Sequence, residues 1–281
     1  MFNLITFSIL IVLIEGNNLV DLQPKVSPPP YLNRFHLSKS EIRIVNGNEV
    51  EPNSIIYQVG IFFDLPEGKQ GFCGGSLISP NYVLTAAHCT NGSLGALVIL
   101  GAHRVTENEP NQIRIKSYDL YTHELYGSES LLYDIGLIHL PEAVELNENI
   151  GIISLPSRAQ ENDNFEFEPA LLTGWGKISD ESTSLSDYLQ YAETHIMENR
   201  LCTLYFFGSV KDTHICSDAH YSRQSACNGD SGGPLVVDGA LVGLVSFGTG
   251  LGCDVLWPTV YTRITSYLDW IQEHSDVVIN E

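Results

Sequence analysis

Basic residues are scarce in this chain: fourteen Lys and Arg stand against thirty-four Asp and Glu, giving a formal charge of −20 and an isoelectric point near 4.6. So acidic a surface repels phosphate, which argues against nucleic acid and anionic membrane as partners. Long apolar stretches are missing as well. The apolar run at residues 4–14 is too short for the roughly 20 residues of a membrane-spanning helix, and no later segment is longer and equally apolar. There is no Cys-x-x-Cys pair, and the nine histidines show no metal-ligand spacing. His214 and His220 sit among small polar residues and read as surface loop histidines. No internal repeat points to a solenoid.

What is present bounds the answer further. A 281-residue chain with 43% hydrophobic content can bury a sizeable core. The run at 4–14, followed by Glu15-Gly16-Asn17, reads as a secretory signal ending near Gly16, although only the terminal amine supplies positive charge before it. Six cysteines in an exported chain are expected to form three disulfides, but their number alone leaves many pairings open. Residues 17–43 hold Pro24, Pro28, Pro29 and Pro30 and little apolar periodicity, as expected of an extended segment that packs little. It ends at Arg43, before Ile44-Val45-Asn46-Gly47, a sequence suited to cleavage by a trypsin-like protease.

From Ile44 onward, short β-rich runs alternate with turn residues. A first set covers 57–63, 72–78, 82–84, 113–121 and 135–140; a second covers 171–174, 189–196, 234–237, 240–247 and 259–264. That spacing predicts an all-β barrel or sandwich. Helical periodicity appears at 198–207 and again near 267–274, where Ile264, Leu268 and Ile271 recur. The polar, acidic stretch at 157–165 is the expected seam between the two strand sets.

Three motifs carry the chemistry: Thr85-Ala86-Ala87-His88-Cys89, then Asp134-Ile135-Gly136-Leu137-Ile138, then Ala226-Cys227-Asn228-Gly229-Asp230-Ser231-Gly232-Gly233-Pro234. An unassisted serine hydroxyl is a weak nucleophile and needs a base within hydrogen-bond reach. His, Asp and Ser in this order resemble the trypsin-like, chymotrypsin-fold serine endopeptidases over residues 44–274. Within that family Gly101-Ala102-His103 and Val245-Ser246-Phe247-Gly248 are most similar to the arthropod brachyurin and chymotrypsin-like enzymes.

The resemblance implies two six-stranded antiparallel Greek-key barrels with a C-terminal helix, a protease domain over 44–281, and no cofactor or metal. It assigns Ser231 as nucleophile, His88 as general base and Asp134 as the acid that orients it. His103, His123 and His139 lack the Ala-Ala-His-Cys context. The backbone N–H groups of Gly229 and Ser231 resemble the oxyanion hole, and Ser246, which the resemblance also places at the specificity pocket, the serine that bonds the buried aspartate. After cleavage behind Arg43, the new Ile44 amine is expected to pair with Asp230, so the full-length chain should be an inactive zymogen. The implied disulfides are Cys73 with Cys89, Cys202 with Cys216, and Cys227 with Cys253. No cysteine lies in the activation segment to tether it.

The pocket floor falls at Ser225, which carries no charge to pair with Arg or Lys. Gly248 leaves the entrance open, Thr259 should shorten the pocket, and the Phe247 ring should wall one side of the cleft. Asp254, near the rim, reads as a solvated loop acid. Large apolar or aromatic residues before the scissile bond are the expected preference, with elastase-like or broader brachyurin-type specificity as the alternative. Ala102 stands where calcium-binding relatives place a carboxylate, and Glu107 and Glu109 read as exposed loop acids. Asn91-Gly92-Ser93 is a glycosylation sequon.

A secreted monomer acting on proteins or peptides follows, in an extracellular setting such as a digestive lumen. Its expected partners are an activating trypsin-like protease and protein inhibitors. A limited-proteolysis factor of a cascade or venom, and a protease-like binding protein, are the competing readings. The first often carries extra domains and a basic-specific pocket; the second commonly loses a triad residue.

Overall fold

The computed structural model describes residues 25–26, 47–128 and 131–281. The signal reading at 1–16 and the Arg43–Ile44 junction lie outside the described residues. Two short strands come first, β1 (Lys25–Val26) and β2 (Asn48–Glu49). Seven strand segments then build one antiparallel sheet: β3 (Gln58–Asp64), β4 (Gln70–Ser79), β5 (Tyr82–Thr85), β6 (Gly95–Leu100), β7 (Ile113–Ser117), β8 (Asp119–Thr122) and β9 (Gly136–His139). Their order is β7-β6-β3-β4-β5-β9-β8.

The second sheet comprises β10 (Pro169–Gly174), β11 (Gln190–Met197), β12 (His214–Ser217), β13 (Pro234–Val237), β14 (Ala240–Thr249) and β15 (Thr259–Arg263). Its order β14-β13-β10-β11-β12-β15 is closed by pairing of β14 with β15. β2 adds to β11 antiparallel, and β1 lies against β14 in the parallel sense. The molecule is thus two barrel-like antiparallel sheets with few helices.

Side-chain period two decides which face of a strand is buried. In β11, Gln190, Ala192, Thr194 and Ile196 point into the second barrel, where Ala192 and Ile196 cluster with Leu172, Ile215, Leu235 and Tyr261. Val59, Ile61, Val98, Leu100 and Ile138 fill the first. A third cluster joins the sheets: Ile78, Leu84 and Leu137 from one, Leu241 and Leu244 from the other, and the buried face of the C-terminal helix (Leu268–His274).

Besides the two-residue β1 and β2, sequence periodicity missed two strands of the barrels. β6 is apolar throughout, with Ala96, Val98, Ile99 and Leu100 all fully buried, so no alternation marks it. β12 is four residues between polar neighbours. Its first residue, His214, is only 2% exposed, which corrects the reading of a surface loop histidine; its Nε2 lies 2.9 Å from Leu131 O, and Lys211 N–H donates to its Nδ1. Burial holds this imidazole's pKa below the ordinary value. His220 is exposed, as read. The run at 113–121 breaks at Tyr118, because the chain there leaves β6 and begins to pair with β9.

Candidate active site

His88 sits on a one-turn helix, α1 (Ala87–Thr90), that follows β5 directly and is bonded to β4 through Cys73–Cys89. Asp134 lies two residues before β9, after a tight approach in which Leu131 and Tyr133 take positive φ. The Asp134 carboxylate accepts from the His88 N–H at 2.8 Å and faces His88 Nδ1 at 2.8 Å. Ser246 Oγ donates to the same carboxylate at 2.5 Å, and Thr262 Oγ1 donates to the Asp134 carbonyl. Burial alone would raise this carboxyl's pKa. The His88 ring, the Ser246 hydroxyl and the His88 N–H outweigh burial and hold it below the usual carboxylate range.

Ser246 reaches Asp134 because of a bulge. Val245 pairs with Tyr261 and Phe247 with Val260, so Ser246 is the extra residue between them, and a bulge of this kind re-aims a side chain. The Phe247 ring is fully buried against Phe206 and His214, at centroid distances of 5.5 and 5.4 Å, and is not among the residues that line the pocket described below.

Ser231 lies in the turn before β13. The N–H groups of Cys227, Asp230, Gly232 and Gly233 are committed to acceptors, whereas those of Gly229 and Ser231 carry no such bond among the described residues. Gly229 takes φ +101°, and a Cβ there would stand 2.6 Å from Leu185 Cδ2 and 3.1 Å from Gly176 Cα, so only glycine fits. Gly74 N–H donates to Ser231 O at 2.8 Å and Thr85 Oγ1 to Gly74 O at 2.8 Å, which pins the serine turn of one sheet to the histidine strand of the other. Ser231 Oγ and His88 Nε2 are both buried without a hydrogen-bond partner, so the serine–histidine bond of general-base activation is not made in this state. Such bonds commonly tighten only when substrate is bound.

Asp230 is fully buried beside the serine. Its Oδ1 accepts from Gly176 N–H at 2.8 Å and its Oδ2 from Cys227 N–H at 2.9 Å. Burial dominates these bonds and pushes its pKa up to about 6.

Next to this turn opens a cleft of about 380 Å³, its mouth included. Ser225, Gly248 and Thr259 line it as read from sequence; Ser246 does not. Trp257, Pro258 and Thr249 line it too and were not singled out, since nothing in the sequence distinguishes a wall tryptophan from a core one. Among the described residues no charged side chain lines the cleft. Cys227–Cys253 frames it, and Ser225 Oγ donates to Cys253 O at 3.0 Å. The other bond is Cys202–Cys216, which ties α2 (Asn199–Tyr205) to β12.

Sequence reading also missed Asp180. Its carboxylate accepts from Cys253 N–H at 2.8 Å and Asp254 N–H at 3.2 Å, across seventy-three residues of chain. Cys253 is therefore held at its N–H, its carbonyl and its sulfur. Replacing Asp180 by Ala should loosen the rim and lower kcat/KM by about 1–2 kcal/mol, roughly five- to thirtyfold. Asp180→Asn should lose less, because one oxygen remains for Cys253. Steady-state kinetics on a peptide with Phe before the scissile bond measures both; equal rates for Asp180→Ala and wild type would refute the role. Glu109 is a correction as well. It is a half-buried internal acceptor for His103 N–H, Arg104 N–H and Gln112 Nε2, while Glu107 is exposed and pairs with Arg104.

The sequence profile of the family described as Trypsin matches residues 44–271. The chain is similar to brachyurin from Leptuca pugilator, 42% identical over 234 residues that make up 83% of this chain and 99% of that protein. It is similar also to chymotrypsin from Phaedon cochleariae, 36% identical over 255 residues covering 90% and 86% of the two chains. Among solved structures, HL collagenase superposes with a TM-score of 0.76 at 34% identity, covering 83% of this chain and 99% of that one.

Proposed function

The chain belongs to the trypsin family of serine endopeptidases, and from that premise we propose that it is a secreted zymogen, cut after Arg43, that cleaves peptide bonds after large apolar or aromatic residues. In this reading residues 1–16 are the signal, 17–43 the activation segment and 44–281 the enzyme. His88 takes the Ser231 proton as Oγ attacks the scissile carbonyl, then returns it to the leaving amine. Asp134 keeps the His88 proton on Nδ1, so that Nε2 is free to accept. The N–H groups of Gly229 and Ser231 receive the developing oxyanion, where one such donor is worth about 10²-fold or more in rate. Ile44, once released, supplies the cation that the buried Asp230 lacks.

The observation that carries the specificity is the cleft beside Ser231, which among the described residues has no charged wall and presents Trp257 and Pro258. An Arg or Lys side chain would be desolvated there without a partner, whereas an aromatic ring would bury apolar surface. Thr259, on the same wall, favours the elastase-like alternative by occupying space at depth. Substrates are peptides and proteins, and protein inhibitors that present an extended loop fit the same edge. Asn91 is exposed at the end of α1, as glycan attachment requires.

A panel of peptides with Phe, Leu, Ala or Arg before the scissile bond tests this, with secreted protein assayed before and after trypsin treatment and the trypsin then blocked. The expected result is cleavage after Phe or Leu by treated wild type alone, and none by Arg43→Gln or Ser231→Ala. Cleavage after Arg would overturn the pocket reading, and preference for Ala would select the elastase-like one.

A further inference from the structure

We propose that the edge of β14 beside the specificity pocket binds extended peptide in the direction opposite to a substrate, and that residues 25–26 of the chain itself occupy this edge in the precursor and so keep substrate from pairing there. The inference rests on reading Ser231 and its pocket as the active site.

Chain direction carries the argument. β14 runs from Ala240 to Thr249, and its bulged Ser246 touches Asp134, so that point of the strand lies at the triad. Gly248 and Thr249, further along, line the pocket. A substrate must bring the carbonyl of its pocket residue to Ser231 Oγ while its upstream residues extend back along 248–249. From N to C it therefore approaches the triad, antiparallel to β14. β1 does the reverse. It pairs parallel, Lys25 with Gly248 and Val26 with Thr249, and so runs away from the triad.

Reversal exchanges the order of N–H and C=O along the bound backbone. Main-chain pairing is still satisfied, as in other cases of strand addition, but no acyl carbon is set against the nucleophile and the oxyanion donors. The segment blocks without being cut. Ser231 Oγ and His88 Nε2 are both buried in this precursor state, as a nucleophile shielded from substrate requires. The first cysteine in the chain is Cys73, so no disulfide retains the segment after cleavage at Arg43. That single cut removes the tether, and with it an effective concentration of about millimolar order.

The test uses activated enzyme with a measured rate on the Phe peptide and a synthetic peptide of residues 23–30, acetylated and amidated. Competitive inhibition at roughly millimolar peptide is expected, raising KM at constant kcat, with the peptide intact by mass spectrometry. Lys25→Pro plus Val26→Pro, which removes both N–H donors, should abolish it. No inhibition at several millimolar, or cleavage of the peptide, would overturn the proposal. A second measurement does not depend on catalysis: in the Ser231→Ala precursor, the same double Pro substitution should speed hydrogen exchange over residues 246–250. Unchanged exchange would overturn the contact even if no peptide substrate were ever found, whereas failure of the substrate panel alone would count against the enzyme reading.

Discussion

Replacing Asp134 by Asn is expected to lower kcat by about 10⁴-fold, a magnitude carried over from the triads of this family, with little change in KM or in melting temperature. The buried carboxylate accepts three hydrogen bonds, from His88 N–H, from the His88 ring and from Ser246 Oγ. An amide in the same place can keep Oδ1 toward the His88 N–H. Its NH₂ then faces His88 Nδ1 and Ser246. The serine hydroxyl can turn to accept, so packing survives, but the ring must also accept at Nδ1 and carry its proton on Nε2. That proton occupies the site that should receive the one from Ser231. Single-turnover kinetics on the Phe peptide, with a melting curve beside it, measures the effect; a loss under tenfold would show that Asp134 does not set the tautomer.

The second large effect concerns stability. In the uncleaved chain Asp230 is buried, and its pKa rises from 3.8 to about 6. A carboxyl whose folded pKa is raised binds its proton more tightly in the folded state. The precursor is therefore favoured by this group below about pH 4 and loses that advantage as pH rises through about 6, by roughly 3 kcal/mol in all. Asp230→Asn cannot ionise, and it exchanges one acceptor for a donor opposite Gly176 or Cys227, an offset independent of pH. Relative to wild type, the variant precursor should gain up to about 3 kcal/mol between pH 4 and pH 7.5 in urea unfolding. Cleavage after Arg43 should stabilise wild type at neutral pH, because the Ile44 amine then pairs with Asp230. The variant should gain nothing from the cut and remain inactive. Parallel pH curves for the two precursors would refute the assignment.

Much of the fold was legible because sheet strands with one wet face alternate and turns carry Gly, Asn and Asp. β11 is the clearest case, with buried and less buried residues in strict succession. β6 hid because both of its faces are buried, and β12 because it is short and begins with a buried histidine among polar neighbours. The candidate site was legible where chemistry fixes residue type at fixed spacing, as in the motifs around His88, Asp134 and Ser231. Asp180 and Trp257 were not. One reaches its partners across seventy-three residues, and the other differs from a core tryptophan only through the loop that opens beside it.

The two sheets divide the proposed triad, with His88 and Asp134 beside the first and Ser231 beside the second. Each disulfide stays within one half: Cys73–Cys89 in the first, Cys202–Cys216 and Cys227–Cys253 in the second, and no cysteine is left free. Between the last strand of one sheet and the first of the other, residues 161–164 are exposed. A nick there would leave two pieces, each internally cross-linked, joined only by contacts such as Gly74 N–H to Ser231 O and the shared apolar layer. Catalysis would then become a property of a reversible complex: activity per molecule would fall on dilution and return on mixing, with the order of a bimolecular association.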